Sequence, residues 1–411
     1  MASSPYINNY SKVNFSKTPK TFNELNEIFF NGKSKFFYKI EKNYPKEGEE
    51  FLKIYKNLQE LVSNIDNILQ KEYPLLKKFT KKNKIEMTRK EAALLFLLSF
   101  FKCLECKSNR FNVYYILLSN SGPAFQFGRC YLNYLTIIGK WLEEKNEILN
   151  EKLIYIRDNK DSKEYLDNKE VNLCEINVIE EGSLFDGKAS YCIDFANKYI
   201  GGGALTGGSV QEEILFAVEP EAIISMLFME VMDENDAIGI FNTIEYSKST
   251  GYGYSVKFDK SAITDDLKQI KKHRIIAIDA VVSRGFFNYI FDKGQIQRDI
   301  IRDIHKAYVG FNLINLEEEK DFEKIISTGN WGCGAFGGNH ELKFIQQWIS
   351  ASFAGVKRLD YYTFADIKMK NAAKYYNDIK NKYQKANALY EAITLNKIDD
   401  KKIIFNLINN N

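Results

Sequence analysis

The chain of 411 residues has little glycine and proline, with 24 Gly and 6 Pro, where average usage would give about 29 and about 20. The glycines are also unevenly placed, because five lie between Gly201 and Gly208 and five between Gly329 and Gly338. A chain that is poor in glycine and then concentrates it needs backbone rather than side chain at those two places. We therefore expect the two glycine clusters to mark the functional region.

Cysteine and histidine are also scarce, with six Cys and three His in the whole chain. Six cysteines in a chain of this length do not make a disulfide framework. Cys103 and Cys106 have the spacing of metal ligands, but no second ligand pair exists, so two small core residues on a helix are favoured over half a zinc site. Three widely separated histidines argue against a zinc hydrolase or a catalytic triad based on histidine. We expect no metal site.

Neither sign of charge is in excess, because 57 basic residues stand against 54 acidic ones. That balance argues against a protein that coats nucleic acid non-specifically or binds membranes through a polybasic surface. An anionic ligand must therefore be bound by specific local contacts. The start of the chain lacks the apolar core of a signal peptide, and the longest apolar run, 92–101, is too short to span a bilayer. We expect a soluble monomer of the nucleus, the cytoplasm or both.

The pattern along the chain predicts three parts: a loose segment (1–20), an all-helical accessory region (21–130) and an α/β domain (131–411). The α/β prediction depends on strand-like runs that alternate with helical ones and that favour a mixed sheet. These runs lie at 153–157, 172–179, 190–194, 237–242, 275–282 and 359–364. A lysine cluster in the accessory region suits a nuclear-localisation patch, although a solvated face or loop is favoured. Its members are Lys77, Lys78, Lys81, Lys82 and Lys84.

The second glycine cluster, Thr328–Gly338, follows a strand-like stretch and precedes a helical pattern that starts near Glu341. A glycine-rich loop before a helix N-terminus is typical of an anion site, because backbone N–H groups and the helix dipole both favour negative charge. Gly332, Gly334 and Gly337 also satisfy G-x-G-x-x-G, which alone is weak evidence for dinucleotide binding. The alternative is a glycine-rich turn without a ligand.

The first glycine cluster leads from Gly201–Gly203 to Gln211, Glu212 and Glu213 at the entrance to an apolar segment. Carboxylates beside a closely approaching loop suit acid/base chemistry on a glycosidic bond. Adjacent side chains point in different directions, so one glutamate should transfer the proton while the other holds the sugar. The alternative is a helix N-terminus with ordinary acidic residues in its first turn.

Other polar and aromatic residues near these clusters have two interpretations each. Asp194 and Asn197 could bind ribose hydroxyls, or they could be turn residues that bond to their own backbone. Tyr252 and Phe364 offer rings that could stack on adenine, although core packing is the commoner fate of an aromatic residue.

Taken together, these segments resemble the poly(ADP-ribose) glycohydrolases. A triple glycine followed after seven residues by Q-E-E, as in Gly201–Gly203 and Gln211–Glu213, is similar to the signature of that family. The other matching stretches are Ile193–Asn197, Pro220–Ser225, Tyr246–Tyr252, Ile278–Ala280, Thr328–Gly338 and Tyr362–Phe364. The resemblance covers residues 150–370.

The resemblance implies a three-layer α/β/α macrodomain with a mixed sheet, which hydrolyses the ribose–ribose O-glycosidic bonds of poly(ADP-ribose) and releases ADP-ribose. It implies an oxocarbenium-like transition state and neither a metal nor a cofactor. Glu213 is the implied acid/base, Glu212 the implied holder of ribose hydroxyls and Asp194 their support. Substrate binding is implied for Leu184, Asn197, Gly201, Gly202, Gly203, Gln211, Tyr252, Asn330, Gly334, Ala335, Phe336, Gly337 and Phe364.

The implied partners are poly(ADP-ribose), ADP-ribose and poly-ADP-ribosylated proteins, with no membrane and no sequence-specific nucleic acid. One position departs from the family pattern, because Phe185 stands about where the family tends to have an acidic residue that reads adenine.

The main alternative is a macrodomain that binds ADP-ribose without cleaving it, and the intact Gln211–Glu213 favours the enzyme. A dinucleotide-dependent oxidoreductase would place G-x-G-x-x-G early in a βαβ unit, whereas here the motif is near the C-terminus.

Overall fold

A mixed sheet with helices on both faces is the central feature of the computed structural model of this chain. The structure describes all residues except 1–6, 11–16, 18, 64–74, 78–82, 107–109, 162, 169, 186, 188, 265, 267–268, 284–292, 317–321, 396–406 and 409–411. The strands are β1 (Ile7–Tyr10), β2 (Asn83–Thr88), β3 (Leu104–Cys106), β4 (Lys152–Asn159), β5 (Glu175–Ile179), β6 (Tyr191–Ala196), β7 (Asp236–Ile244), β8 (Ser247–Thr250), β9 (Lys257–Ser261), β10 (Lys272–Asp279), β11 (Ile325–Gly329) and β12 (Arg358–Tyr362). The helices are α1 (Phe22–Phe30), α2 (Phe36–Asn43), α3 (Pro45–Ser63), α4 (Arg89–Phe100), α5 (Val113–Ile116), α6 (Gly122–Glu143), α7 (Gln211–Val218), α8 (Ser225–Phe228), α9 (Lys293–Phe311), α10 (His340–Phe353), α11 (Ala372–Lys382) and α12 (Ala386–Thr394).

The central sheet has eight strands in the order β2-β4-β7-β10-β6-β11-β12-β5. Neighbours from β2 to β10 are antiparallel, and neighbours from β10 to β5 are parallel. The carboxyl ends of the parallel strands β6, β10, β11 and β12 therefore meet at one edge, which is where open α/β sheets bind ligands. The prediction of a mixed sheet is confirmed.

Two hydrophobic cores lie on opposite faces of this sheet, because the side chains of each strand alternate between faces. On β10, Ile275 and Ala277 join the core that contains α3, α4, α6 and α7. Ile276 and Ile278 join the core that contains α9, α10 and α12. The result is the three-layer α/β/α arrangement, which confirms the predicted fold class.

The accessory region is not all helical, which corrects that part of the prediction. Strand β2 is an edge strand of the central sheet and pairs with β4, while β1 pairs with β3. In β2 the buried Ile85 and Met87 alternate with Lys84 and Glu86, a period of two that the lysine-rich surroundings conceal. Strand β1 also gives the segment 1–20, expected to be loose, a short paired stretch.

Several predicted boundaries change as well. The predicted domain boundary between 130 and 131 falls inside α6, and it stays a prediction. After α7 the chain forms a 3-10 turn, Pro220–Ile224, followed by α8, and near the C-terminus α11 and α12 are separate helices. Cys103 is buried after the end of α4 and Cys106 ends β3, so the pair does not share a helix. Lys78, Lys81 and Lys82 lie outside the described residues.

Within the described part of the chain, no helix is both long enough and apolar enough to cross a bilayer.

A buried ion pair joins the accessory region to the segment that follows α7. Arg89 and Glu221 are both fully buried, and the Arg89 guanidinium binds the Glu221 carboxylate directly. The same carboxylate accepts hydrogen bonds from the Tyr246 hydroxyl at 2.6 Å and from the Ile244 backbone N–H at 3.1 Å. Each oxygen of the Glu221 carboxylate therefore has a hydrogen-bond donor besides Arg89. The pair fixes the position of α4 relative to the 3-10 turn after α7.

We expect Glu221→Ala to destabilise the fold by about 3–5 kcal/mol, because it leaves the Arg89 guanidinium buried without its counter-charge. Chemical denaturation followed by circular dichroism measures this change. Glu49→Ala is the matched control, since Glu49 forms an exposed pair with Lys53 one turn away on the same helix, and it should leave the midpoint unchanged. Equal midpoints for the two variants would contradict the role assigned to the buried pair.

Candidate active site

The two glutamates after the first glycine cluster lie in the first turn of α7, and their side chains fold back onto the glycine loop. The Gly203 N–H donates to Glu213 Oε1 at 2.8 Å, and the Val210 N–H donates to Glu213 Oε2 at 2.9 Å. Two donors on one carboxylate join the loop to the start of the helix. Glu213 is 7% exposed.

Glu212 binds the other end of the same loop. Its Oε2 accepts from the Asn197 N–H at 2.8 Å, and its Oε1 accepts from the Gly201 N–H at 2.7 Å. The side chain is buried. The prediction that two adjacent glutamates point in different directions therefore agrees with the geometry, since Glu212 holds 197–201 and Glu213 holds 203–210.

Gly202 explains why the loop needs glycine. Its φ is +46°, and a Cβ added there would lie 2.6 Å from Glu212 Oε2 and closer still to Glu213 Oε1. Both carboxylates therefore occupy the space that a side chain at this position would fill. A Cβ at Gly208 would lie 2.8 Å from Glu213 Cδ, so the second half of the cluster has the same requirement.

Asp194, on strand β6, is a third carboxyl group close to these two. It is fully buried, and neither of its carboxylate oxygens has a hydrogen-bond partner among the described residues. Burial raises the pKa of Asp194 well above its ordinary value, and the charge of Glu213 raises it further. Burial and then the charge of Asp194 likewise raise the pKa of Glu212. Asp194 and Glu212 therefore favour their protonated forms beside Glu213.

Gln211 fastens the start of α7 to the end of β6. Its side-chain Oε1 accepts from the Phe195 N–H at 2.8 Å, and its Nε2 donates to the Ile193 carbonyl at 3.2 Å. Asn197 has a local role, because its side chain accepts from the Tyr199 N–H at 3.0 Å. This contact supports the turn-residue interpretation of Asn197.

Arg110, in the accessory region, is a site residue that the sequence pattern did not indicate. Its guanidinium donates to the carbonyls of Tyr199, Ile200 and Gly202 at 3.0, 3.2 and 3.1 Å. These three carbonyls belong to the glycine loop whose N–H groups bind the glutamates. No local signal could have identified Arg110, since its partners are some 90 residues away along the chain.

The second glycine cluster forms a tight loop between β11 and α10. Gly338 N–H donates to the Gly332 carbonyl at 2.9 Å, and Gly337 N–H donates to the Gly334 carbonyl at 3.0 Å. Trp331 is fully buried beneath the loop and donates its indole N–H to the Ile278 carbonyl at 2.9 Å. A Cβ at Gly334 would meet nothing within 4 Å, so this stretch of backbone is open to a ligand.

Asn330 and Asn339 at the two ends of this loop both bind the protein itself. The Asn330 side chain donates to the Thr363 carbonyl at 3.1 Å and accepts from the Tyr361 hydroxyl at 3.2 Å. Asn339 is the N-cap of α10 and accepts from the Leu342 N–H at 3.0 Å. Part of the anion-binding capacity expected at this helix N-terminus is therefore used by its own cap.

A cavity of about 730 Å³ lies between helix α7, which follows the first glycine cluster, and the second glycine cluster. Its wall includes eight of the predicted site residues: Leu184, Gln211, Tyr252, Asn330, Gly334, Ala335, Phe336 and Phe364. Among the described residues, the other eight predicted site residues do not line the cavity. They are Asp194, Asn197, Gly201, Gly202, Gly203, Glu212, Glu213 and Gly337. Phe185, where the resemblance departs from the family pattern, also lines this cavity.

Two aromatic rings stand exposed in the cavity wall. Tyr252 is 56% exposed and Phe364 is 45% exposed, although both are large apolar side chains. Phe364 and Ala365 have φ values of 54° and 52°, a left-handed conformation that is uncommon outside glycine. Strained backbone that presents an exposed ring to a cavity is typical of ligand-binding sites.

The fold and the site together define an α/β/α protein in which the second glycine loop and helix α7 line one cavity, with the acidic cluster of Asp194, Glu212 and Glu213 at the start of that helix. The family model described as poly(ADP-ribose) glycohydrolase (PARG), macro domain fold, matches residues 163–371, which is just over half of the chain. The chain belongs to the poly(ADP-ribose) glycohydrolase family.

Similar proteins carry the same family name. The chain is 34% identical over 230 residues to the probable poly(ADP-ribose) glycohydrolase 2 of Arabidopsis thaliana, covering 47% of this chain and 43% of that protein. It is 36% identical over 203 residues to poly(ADP-ribose) glycohydrolase 1 of Caenorhabditis elegans, covering 47% of this chain and 26% of that protein. The chain therefore spans less than half the length of these relatives. The crystal structure of the glycohydrolase from Thermomonospora curvata is 15% identical with a TM-score of 0.36, covering 51% of this chain and 80% of that one.

We expect Gly202→Ala to disrupt the loop, because the new methyl group would displace both glutamate carboxylates. The cost should exceed the roughly 1–2 kcal/mol of an ordinary glycine-to-alanine change at positive φ, and thermal denaturation measures it. Gly253→Ala is the matched control, since Gly253 also has a positive φ but open space at its Cβ position. Similar melting temperatures for the two variants would contradict the steric argument.

We expect Asp194→Asn to stabilise the fold relative to the wild type by about 1–3 kcal/mol at pH 8 and by much less at pH 4. A pKa raised by folding means that the contribution of Asp194 to stability is greatest at low pH and is lost as the pH rises through the folded value. Denaturant titrations at the two pH values measure this difference. Asp161→Asn, at an exposed position, is the control, and an equal change at both pH values for Asp194→Asn would contradict the expectation.

Proposed function

We propose that this protein hydrolyses the ribose–ribose O-glycosidic bonds of poly(ADP-ribose) and releases ADP-ribose. The observation that carries the proposal is the acidic cluster of Asp194, Glu212 and Glu213, buried behind a triple-glycine loop next to the cavity. Membership of the glycohydrolase family supports the choice of substrate. Poly-ADP-ribosylated proteins would be the carriers of this substrate in the same proposal.

In this proposal Glu213 is the acid/base. It donates a proton to the departing ribose oxygen as the glycosidic C–O bond breaks, and it then accepts a proton from the water that attacks the oxocarbenium-like centre. The raised pKa values of Asp194 and Glu212 support this role, because two neighbouring carboxyl groups that favour the protonated form keep a proton next to Glu213. Glu212, fixed by two backbone N–H groups, would accept hydrogen bonds from ribose hydroxyls.

The second glycine loop would bind the diphosphate of the same ADP-ribose unit. Its stretch from Gly334 to Gly337 offers backbone rather than cationic side chains, and the Cβ position of Gly334 is open. Such a loop suits a chain whose basic and acidic residues nearly balance. A diphosphate close to the reacting ribose would stabilise the positive charge of the transition state.

A second candidate function is binding of ADP-ribose without cleavage. One observation favours it: all four oxygens of Glu212 and Glu213 accept backbone N–H groups of the loop. Two glutamates that only brace a loop would look the same. The two functions differ in product, because only the enzyme releases free ADP-ribose.

Incubation with poly(ADP-ribose) and, separately, with mono-ADP-ribosylated protein, followed by chromatography of the products, tests the proposal. We expect free ADP-ribose from the polymer and none from the protein-linked monomer. Binding of ADP-ribose without any release from the polymer would favour the second candidate.

We expect Glu213→Gln to lower turnover of poly(ADP-ribose) by at least about a thousandfold, because the amide cannot exchange the proton. Affinity for ADP-ribose should stay within roughly tenfold of the wild type, since the size of the side chain is kept. Steady-state release of ADP-ribose and calorimetric titration measure the two quantities. Glu234→Gln, on an exposed loop, is the control. Turnover retained by Glu213→Gln would remove Glu213 from the acid/base role.

A further inference from the structure

The cavity follows the whole length of helix α7. The residues of this helix and its C-cap that line the cavity are Gln211, Ile214, Leu215, Val218 and Glu219, a spacing of three and four that defines one helix face. Eight residues at 1.5 Å each span about 12 Å. One end of the cavity therefore adjoins Gln211 and the acidic cluster, and the other end lies at Glu219.

The middle of this stretch is apolar. Ile214, Leu215 and Val218 line it from the helix, and Leu184 and Phe185 also belong to the wall. In the proposed complex the reacting ribose lies at the Gln211 end and the diphosphate lies on the second glycine loop. The nucleobase is then the part of the ligand that extends along α7, and an apolar wall suits its flat body.

The Glu219 end of the cavity is polar, and Glu219 itself is engaged by other residues of the protein. Glu219 is fully buried, with Oε2 accepting from the Thr243 hydroxyl at 2.6 Å and Oε1 in contact with His273 Nδ1. His273 is also buried, and its pKa is raised, because the charge of Glu219 outweighs the lowering effect of burial. This pair fixes the end of α7 and leaves neither oxygen of Glu219 for a ligand.

Glu245 and Lys248 line the same end and differ from that pair. The Lys248 ammonium donates to Glu245 Oε2 at 2.5 Å. Glu245 Oε1 has no hydrogen bond to any residue in the described parts of the chain. Burial raises the pKa of Glu245, and Lys248 partly offsets that effect. The cavity therefore presents a hydrogen-bond acceptor next to a cationic donor.

We propose that Glu245 and Lys248 read the edge of the nucleobase and select an aminopurine over an oxopurine. The Glu245 carboxylate would accept from the exocyclic amine of adenine, and the Lys248 ammonium would donate to the neighbouring ring nitrogen. An oxopurine such as hypoxanthine reverses this pattern, with a carbonyl and a ring N–H, and so places its carbonyl against the carboxylate. The inference rests on the proposed function, because it takes ADP-ribose as the ligand.

Calorimetric titration of the full chain with ADP-ribose and with inosine diphosphate ribose tests the inference. We expect the wild type to bind ADP-ribose at least about tenfold more tightly, which is the usual size of discrimination by a two-point edge contact. Glu245→Gln should reduce this preference to within about threefold, because an amide can donate to the oxopurine carbonyl. Glu323→Gln is the matched control, since Glu323 forms an exposed pair with Lys357, and it should keep the wild-type preference.

The outcomes separate the inference from the function on which it rests. If the wild type binds ADP-ribose but shows no preference, or if Glu245→Gln keeps the full preference, the base-reading role is overturned and the proposed function stands. If the wild type binds neither nucleotide, the proposed function fails and the inference fails with it. If thermal denaturation shows that Glu245→Gln does not fold, Lys248→Met makes the same test, with the same reduced preference expected.

Discussion

The hydrogen bonds between two glutamate side chains and the backbone of the glycine loop are the interaction on which the site depends. Four N–H groups, from Asn197, Gly201, Gly203 and Val210, bind the carboxylates of Glu212 and Glu213. Buried carboxylates without such donors would carry a large desolvation cost. The loop in turn can reach them only with glycine at 202, where a Cβ would overlap both. The triple glycine and the glutamates are therefore one structural unit.

That unit is held in place by residues far away in the sequence. Arg110 binds three carbonyls of the loop from the accessory region, and the buried pair of Arg89 and Glu221 fixes the segment that follows α7. Strand β2 extends the central sheet at its edge. The accessory region is thus part of the framework of the site, and loss of its contacts would affect the loop as well as the overall stability.

Much of this arrangement could be predicted from local patterns. Alternating strands and helices identified the mixed sheet, and the scarcity of glycine elsewhere drew attention to both loops. Strand β2 was missed because its two-residue alternation, Ile85 and Met87 among charged residues, lies in a stretch whose surroundings favour helix. Arg110 could not be found, since its role arises only when the chain folds back over some 90 residues. Substrate binding by Asn330 stays a prediction, since it lines the cavity while its side chain is bonded to Tyr361 and to the Thr363 backbone.

Asp194 separates the enzymatic interpretation of the acidic cluster from a purely structural one. Glu212 and Glu213 have all of their oxygens hydrogen-bonded, so bracing of the loop would be enough to explain them. Asp194 is fully buried beside them, and within the described residues its carboxylate has no partner that would offset the cost of burial. An asparagine or a small apolar residue at that position would make the folded state more stable. A buried residue that lowers stability and raises the proton affinity of Glu212 beside it is typical of a site built for proton transfer.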